Sequence, residues 1–379
     1  MRVWRPDRTI LKNRGGREVK AAVFHGPGQP MTIEEVEINQ PERNEVLVRT
    51  HAAGLCHSDL HFIEGKYPTP VPAILGHESA GVVEAVGEGV TRFKPGDHVV
   101  SCLSVFCGHC EFCVTGHMSI CNNTAVKMMP GVAKRLRWKG EHLNQYLNLS
   151  SFAEKMLVHE NAIVKIRDDM PLELAALLGC GVLTGYGSVT HSARIEVGSS
   201  VAVIGCGGIG LSTVHAARMA GAARIIAVDI DPAKLEMAKL FGATDGVDAN
   251  SPDMVKQIIK LTDGGVDYAF ECIGLKQTTE ASFAMLRPRG LSTIVGMIPL
   301  GTKIELHGFD FLRERRIQGS MMGSNHFTVD IPRLVDFHMQ GRMKLEQLVS
   351  QRLRLEDINE GFEAMQRGGI ARSVIVFEQ

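Results

Sequence analysis

Aromatic side chains are scarce in this chain, 6% of 379 residues with only two tryptophans, and neither sign of charge prevails: 41 lysines and arginines stand against 42 aspartates and glutamates, a formal net charge of −1. Without an excess of positive charge there is no electrostatic argument for nucleic acid or an anionic membrane surface as a partner. Long apolar runs are missing too. Charge or glycine interrupts each of them well short of about 18 residues, so no transmembrane helix is expected. The N-terminus is basic but no apolar core follows, which argues against a secretory signal. The expectation is a cytoplasmic protein with no nucleic-acid and no membrane partner.

Glycine and cysteine are what the chain has in quantity, 40 and nine residues. Abundant glycine with few aromatics suits an α/β protein with many tight turns. A disulfide framework is not expected of nine cysteines in a chain this long without a signal segment, so metal ligation or redox chemistry comes first. The composition, 44% hydrophobic and 22% charged, is that of a globular protein. The length exceeds the roughly 250–300 residues at which one core stops growing, which predicts two domains.

Residues 1–18 carry Arg2, Arg5, Arg8, Lys12, Arg14 and Arg17 without a period and read as a loosely docked extension. From Val19 the pattern becomes short strands, at Lys20–Phe24, Met31–Val36, Glu45–Thr50, Val82–Val86 and His98–Val100, punctuated by Gly26-Pro27-Gly28 and Pro95-Gly96-Asp97. A mostly β region of small-barrel type is predicted there. After Asp229, helices at Pro232–Phe241 and Asp253–Thr262 alternate with strands at Val266–Glu271 and Leu291–Val295, as in a doubly wound sheet. The tail predicts helices at Ile331–Met339 and Leu355–Arg367 and a last strand at Ser373–Phe377. Cys102, Cys206 and Cys272 read as small core residues, and Met321 and Met322 as buried strand or hinge packing.

The stretch from Ser200 to Asp229 is strand, glycine turn, helix, strand, acid. Val201-Ala202-Val203-Ile204 runs into Gly205-Cys206-Gly207-Gly208-Ile209-Gly210. Gly205 permits a tight turn, Gly207 lets backbone approach a pyrophosphate, and Gly210 lets the helix lie close on its strand. Phosphate would sit at the helix N-terminus, where free N–H groups and the helix dipole favour negative charge. Asp229 follows Gly210 by 19 residues, near the offset at which a carboxylate accepts from adenosine ribose hydroxyls. A carboxylate there repels a 2′-phosphate, which favours NAD over NADP.

Two metal-ligand patterns stand out. Cys107, Cys110, Cys113 and Cys121 form C-x2-C-x2-C-x7-C, a spacing from which four thiolates can close a tetrahedral shell and hold a structural zinc. Cys56, His77 and Cys180 are dispersed, and spacing alone does not join them. Two cysteines and a histidine would leave a fourth position open, as catalytic zinc requires.

Several segments together resemble the zinc-dependent medium-chain alcohol dehydrogenases: Gly54-Leu55-Cys56-His57-Ser58-Asp59, Gly76-His77-Glu78 with Gly81 and Gly87, the four-cysteine loop, Leu178-Gly179-Cys180-Gly181-Val182-Leu183-Thr184-Gly185-Tyr186, and the Gly205 turn. They occur in that family's order, and the resemblance runs from about Val19 to the C-terminus. It implies two zinc ions per chain: one held by Cys56, His77 and Cys180, with Glu78 behind it as an alternate ligand, and one held by the four-cysteine loop. Asp59 would fix the tautomer of His77. The implied reaction is hydride transfer from an alcohol to NAD, with a proton leaving through Ser58 and the cofactor ribose to His61. The implied cofactor contacts are His57, Thr184, Gly205, Gly207, Gly208, Ile209, Gly210, Asp229, Lys234 and Arg372. Leu103 matches a substrate-pocket position often aromatic in the family, leaving room for alcohols bulkier than ethanol.

The resemblance also implies a fold, a Rossmann doubly wound parallel-sheet domain (182–322) and a β-rich GroES-like catalytic domain (19–181 with 323–379), and a homodimer or homotetramer built through edges of the nucleotide-binding sheets. Three other readings stay open: a formaldehyde dehydrogenase acting on a thiol adduct, although Ala125 stands where the glutathione-dependent branch has an arginine; a nicotinoprotein that retains its NAD; and a noncatalytic nucleotide-binding subunit.

Overall fold

The computed structural model describes residues 16–127, 135–368 and 371–378. Most of the segment read as a basic extension, residues 1–15, lies outside them. Arg17 and Glu18 belong to the first strand, Arg17–Phe24.

Six parallel strands form one sheet, in the order Asp245–Asp248, Arg224–Asp229, Ser200–Ile204, Val266–Glu271, Leu286–Ile294, Arg316–Gly319. Numbered along the chain this is 3-2-1-4-5-6, the doubly wound order, whose direction reverses between Ser200–Ile204 and Val266–Glu271. Ligands bind such sheets in the crevice beyond the strand C-termini at that reversal. The central strands are apolar on both faces because helices cover both: Val201, Ala202, Val203 and Ile204 are fully buried. Helix Pro232–Phe241 starts as the sequence predicts, with Pro232 in its first turn and the Asp231 carboxylate accepting from Ala233 N.

The remainder is β-rich. Strand Glu45–Gly54 is its hub: one edge takes Glu78–Val86, and the other is shared between Lys155–His159 and the C-terminal strand Arg372–Val376. The chain's last strand is therefore a neighbour of its third. Register pairs Gly54 with both Glu78 and Val374, so three strand ends meet at one place. A second sheet built on Arg17–Phe24 and Thr32–Ile38 packs its own apolar core, with Phe24, Ile38, Ile74 and Phe152 fully buried.

Among the described residues no single helix is long and apolar enough to cross a membrane. The pair Leu172–Gly179 and Gly181–Ala193, bent by 51° at Cys180, is apolar because it packs inside the largest core cluster. That bend is what presents the Cys180 side chain.

Of the two expectations for Met321 and Met322, buried strand or hinge packing, the strand does not form, while Met322 packs partly buried against the largest core cluster. Met321 is 54% exposed, and both lie in a short turn, Met321–Ser324, where Met322 is left-handed with φ 52°. Two adjacent apolar residues look like strand in sequence, but the turn instead carries the Met322 sulfur to within 4.0 Å of Cys180 Sγ.

Candidate active site and metal centres

Where the three strand ends meet, four side chains converge. Strand Glu45–Gly54 runs through Leu55 to Cys56, which is extended and precedes helix His57–Ile63. His77 and Glu78 stand at the start of the adjacent strand, and Arg372 opens the strand on the other side. Cys180 arrives from the helix bend. The donor atoms of Cys56, His77, Glu78 and Cys180 all lie within 4.8 Å of one another, and all four residues are buried.

His77 Nδ1 donates to Asp59 Oδ1 at 3.0 Å, and Gly76 N donates to the same oxygen at 3.3 Å. That fixes the ring's tautomer. His77 Nε2 is consequently buried with no partner, as a ligand nitrogen is before an ion is added. Burial works against the His77 cation, but the Asp59 carboxylate outweighs it and raises the pKa well above the ordinary imidazole value. The Cys56 thiol is held well below its usual range by the hydrogen bond from the Cys180 thiol, with Arg372 and His77 contributing. Two cysteine sulfurs beside an unpartnered imidazole nitrogen form a donor set that fits zinc with one coordination position open.

Glu78 is fully buried, and desolvation lifts its carboxyl to about 7 against the pull of Arg372, whose Nη1 is 3.0 Å from Glu78 Oε1. Gly181 N donates to Oε1, while Oε2 is buried without a partner. Arg372 also donates to Leu55 O at 3.3 Å. Burial opposes its charge, but Glu78 and the two cysteines more than compensate, so its pKa is raised. A side chain on Gly181 or Gly208 would strike the guanidinium, at 1.8 and 2.1 Å respectively. Arg372 thus connects the metal-ligand cluster to the glycine turn that follows the first parallel strand. Arg372 is 5% exposed although it stands at a strand end.

At that turn Gly205 is left-handed with φ +90°, and a Cβ on Gly210 would lie 1.7 Å from Gly205 O, so helix and turn touch backbone to backbone. A Cβ at Gly207 would meet nothing within 4 Å, so the turn is open there for a phosphate to approach. Helix Gly208–Met219 begins immediately after, with Ile209 in its first turn. Asp229, 6% exposed, spends Oδ2 on Cys206 N at 2.7 Å and Oδ1 on Asp231 N at 3.0 Å, so the carboxylate is locked at the strand end. Its remaining lone pairs are available to hydroxyls. Thr184 lies on helix Gly181–Gly187, its Oγ1 3.7 Å from the Met322 sulfur. Lys234 is half-buried on the helix after Asp229, and His57 is exposed. Partial desolvation and the cations Arg372, His61 and Lys234 keep His57 below its ordinary pKa.

Cys107, Cys110, Cys113 and Cys121 are gathered in one loop. Their sulfurs are 3.9 Å (Cys107 to Cys113), 3.5 Å (Cys110 to Cys113) and 3.8 Å (Cys110 to Cys121) apart. Those separations are far too long for a disulfide. They match the roughly 3.8 Å edges of a zinc tetrahedron with Zn–S bonds of about 2.3 Å. His109 N and Cys110 N both point at Cys107 Sγ, which together lower that thiol's pKa to about 6 despite some desolvation. Of the remaining cysteines, burial raises Cys102 to about 11 and Cys206 to about 12, as expected of inert core thiols; Cys272 is half-buried and is also raised by desolvation.

Ser58 Oγ is 3.5 Å from Cys56 Sγ. His61, one helical turn further out, has a buried Nδ1 with no partner, and its pKa is lowered by burial and Lys66. Leu103 is half-buried against the core of the β-rich half. Sequence reasoning missed an aromatic file that starts at the metal ligands: His77 packs on Tyr146 at 6.1 Å, Tyr146 on Phe62 at 5.0 Å, Phe62 on Tyr67 at 5.7 Å, and Tyr67 on His61 at 6.1 Å. Tyr67 Oη donates to Ile298 O, across to the nucleotide-binding half. In a chain with four tyrosines, two in one file was the available signal, but nothing in the spacing of positions 62, 67 and 146 links them.

Comparison with known proteins gives the family. Residues 42–168 match the alcohol dehydrogenase GroES-like domain and residues 208–338 the zinc-binding dehydrogenase domain. The chain is 40% identical over 367 residues to an S-(hydroxymethyl)glutathione dehydrogenase of Haemophilus influenzae, covering 94% of this chain and 96% of that protein. It superposes with a TM-score of 0.92 and 40% identity on an alcohol dehydrogenase zinc-binding domain protein from Burkholderia ambifaria, and with 0.90 and 35% on benzyl alcohol dehydrogenase from Acinetobacter calcoaceticus; each match covers 96% of this chain and 100% of the other. The protein belongs to the zinc-dependent medium-chain alcohol dehydrogenase family. It is an oxidoreductase that depends on zinc and NAD.

Proposed function

We propose that the chain interconverts primary, or secondary, alcohols and their carbonyl products with NAD, in a cleft between a Rossmann domain (182–322) and a GroES-like catalytic domain (19–181 with 323–379). The observation that carries this is the convergence of Cys56, His77 and Cys180, with His77 Nε2 buried and unpartnered, one residue (Arg372) away from the dinucleotide turn. Those three residues would hold the catalytic zinc, with Glu78 as an alternate ligand. Cys107, Cys110, Cys113 and Cys121 would hold the structural one. When bound, zinc supplies an electrophile that lowers an alcohol's pKa toward neutrality.

The chain's own groups do the rest. Asp59 orients His77, Ser58 Oγ accepts the substrate proton as it gives up its own hydroxyl proton outward toward His61, and His61 passes a proton to solvent. Arg372 and His57, with the N-terminus of the helix beginning at Gly208 and the turn shaped by Gly205, Gly207, Ile209 and Gly210, would hold the pyrophosphate of NAD; Asp229 and Lys234 would hold its adenosine ribose, and Thr184 would be a further cofactor contact. Tyr146, Phe62 and Tyr67 form an apolar wall that excludes water and accommodates a substrate bulkier than ethanol. The free-thiol set suits a reducing compartment, the cytoplasm.

Assembly as a homodimer or homotetramer is supported by the Arg316–Gly319 strand, an edge of the parallel sheet, and by Phe309, Leu312 and Leu300, which are 63, 79 and 71% exposed. A thiol-adduct substrate is the second reading, favoured by the similarity to the S-(hydroxymethyl)glutathione dehydrogenase of Haemophilus influenzae. Against it, Ala125 offers no charge to an adduct carboxylate. The deciding experiment is steady-state turnover with NAD on a panel of primary alcohols, and on formaldehyde with and without glutathione. Turnover of alcohols independent of thiol supports the first reading; activity confined to the adduct supports the second; no hydride transfer from either overturns both.

A further inference from the structure

A third cluster of metal-type donors shares no residue with either site described above. His191, His326 and Asp330 place one donor atom each within 4.8 Å of one another, about the spread that small side-chain adjustments would close to the roughly 3.4 Å edges of a tetrahedral zinc site. We propose that these three residues form a binding site for a third divalent transition-metal ion. It is independent of the hydride-transfer reaction.

Three observations point the same way. First, His326 Nε2 donates to Gly116 O at 2.7 Å. A metal-binding histidine characteristically donates its other ring N–H to a carbonyl or carboxylate, which leaves the opposite nitrogen as a lone-pair donor. His326 is thereby set with Nδ1 free. Second, Asp330 is fully buried; its Oδ2 accepts from His191 Nε2 at 3.0 Å and from His326 N at 2.7 Å, while Oδ1 is buried with no partner. A capping role at the start of helix Phe327–Met339 accounts for the bond to His326 N but not for the stranded oxygen or the second histidine. Third, His191 is carried on a π-helical segment, Ser188–Ala193, an irregularity that recurs at functional sites.

The cluster is reachable. His191 is 21% exposed at its side chain and His326 is half-buried, their rings 4.7 Å apart and nearly perpendicular. Two imidazoles and one carboxylate select ions such as zinc or cobalt over calcium or magnesium, which prefer all-oxygen shells. An ion here would tie together the segment 188–193, the start of the 327–339 helix and, through His326, the loop of the four cysteines.

The test is equilibrium dialysis of the purified two-zinc enzyme against Zn(II), with metal counted per chain, alongside the His191→Gln and His326→Gln variants singly and combined. A third equivalent in the parent protein, lost in the double variant while two zincs and turnover remain, is the expected result. Saturation at two equivalents, or a third that survives the double substitution, overturns the proposal. Co(II) added to the parent two-zinc protein gives a readout that does not depend on variants folding. Bound cobalt should show ligand-field bands without the near-ultraviolet charge transfer that thiolate ligands produce. A thiolate band, or no added band at all, overturns it.

Discussion

The two cysteine-containing centres of this molecule are built in opposite ways. One takes four thiols from 15 consecutive positions, Cys107 to Cys121, three of them half-exposed, at sulfur separations of 3.5 to 3.9 Å. The other takes Cys56, His77 and Cys180 from three distant elements, all buried, and backs them with Asp59, Glu78 and Arg372. A local loop closes its own shell, so its ion can only hold structure. A dispersed set depends on the whole sheet for its geometry, and the same elements bring up Cys180, Arg372 and His77, which lower the Cys56 thiol's pKa, and Asp59, which leaves one ring nitrogen of His77 free. Catalysis needs the second kind, because an open position must be surrounded by groups that cannot fill it.

If that contrast is right, substitutions at the two centres separate cleanly. Cys56→Ser should lower kcat/KM by at least about a thousandfold, several kcal/mol of transition-state stabilisation, with little change in Tm. Steady-state kinetics and a melting curve on one preparation check both halves, and a large loss of Tm would erase the distinction. Cys110→Ser should do the reverse, costing on the order of 4 kcal/mol or more of stability while the folded fraction keeps its turnover; urea unfolding with an activity measurement reads it. Ser58→Ala keeps the metal but removes the first proton acceptor, so zinc content should stay at two equivalents per chain while kcat drops by roughly a hundredfold at neutral pH and less in alkali. Equal losses at all pH values would show that Ser58 is only packing.

Asp59→Asn sharpens the comparison further, because the four-cysteine loop has no counterpart to that carboxylate. Competition with a chelator should find one of two zincs bound about 10- to 100-fold more weakly, the other unchanged. The smallest effect is expected far from both centres, at the exposed edge of the parallel sheet, where Arg224 pairs with Asp245 at 2.7 Å. Hydrogen bonds from Arg224 hold Asp245 below the usual carboxylate pKa. Its contribution is therefore present above the unfolded pKa of about 4 and disappears as pH falls through the folded value. With Arg224 more than a third exposed, screening leaves about 0.5 kcal/mol, so Asp245→Asn should destabilise slightly at pH 7 and not at all at strongly acidic pH.

Much of this was open to reading in the chain itself, for reasons of range. The glycine turn after Ser200–Ile204, the helix at Pro232–Phe241 and the cysteine loop are set by residues a few positions apart, where backbone sterics, capping and ligand spacing act directly. Met321 and Met322 show the limit: adjacent apolar residues suggest strand, but a left-handed turn facing Cys180 decides their place. The file of Tyr146, Phe62 and Tyr67 and the His191, His326 and Asp330 cluster were invisible for the same reason, their members being joined only by packing.

The sequence by itself determined a dinucleotide turn with a carboxylate at the right offset, one closed four-thiol loop, and the family to which the chain is related. Tertiary structure alone decided that Cys56, His77 and Cys180 share one point, that Arg372 is buried against Glu78 rather than exposed at a strand end, and that His77 retains an unpartnered nitrogen. The physical reason is that local patterns fix dihedral angles and short loops, whereas donors more than a hundred residues apart meet only when strand register places their elements side by side. Here that register is the pairing of Gly54 with Glu78 on one side and Val374 on the other.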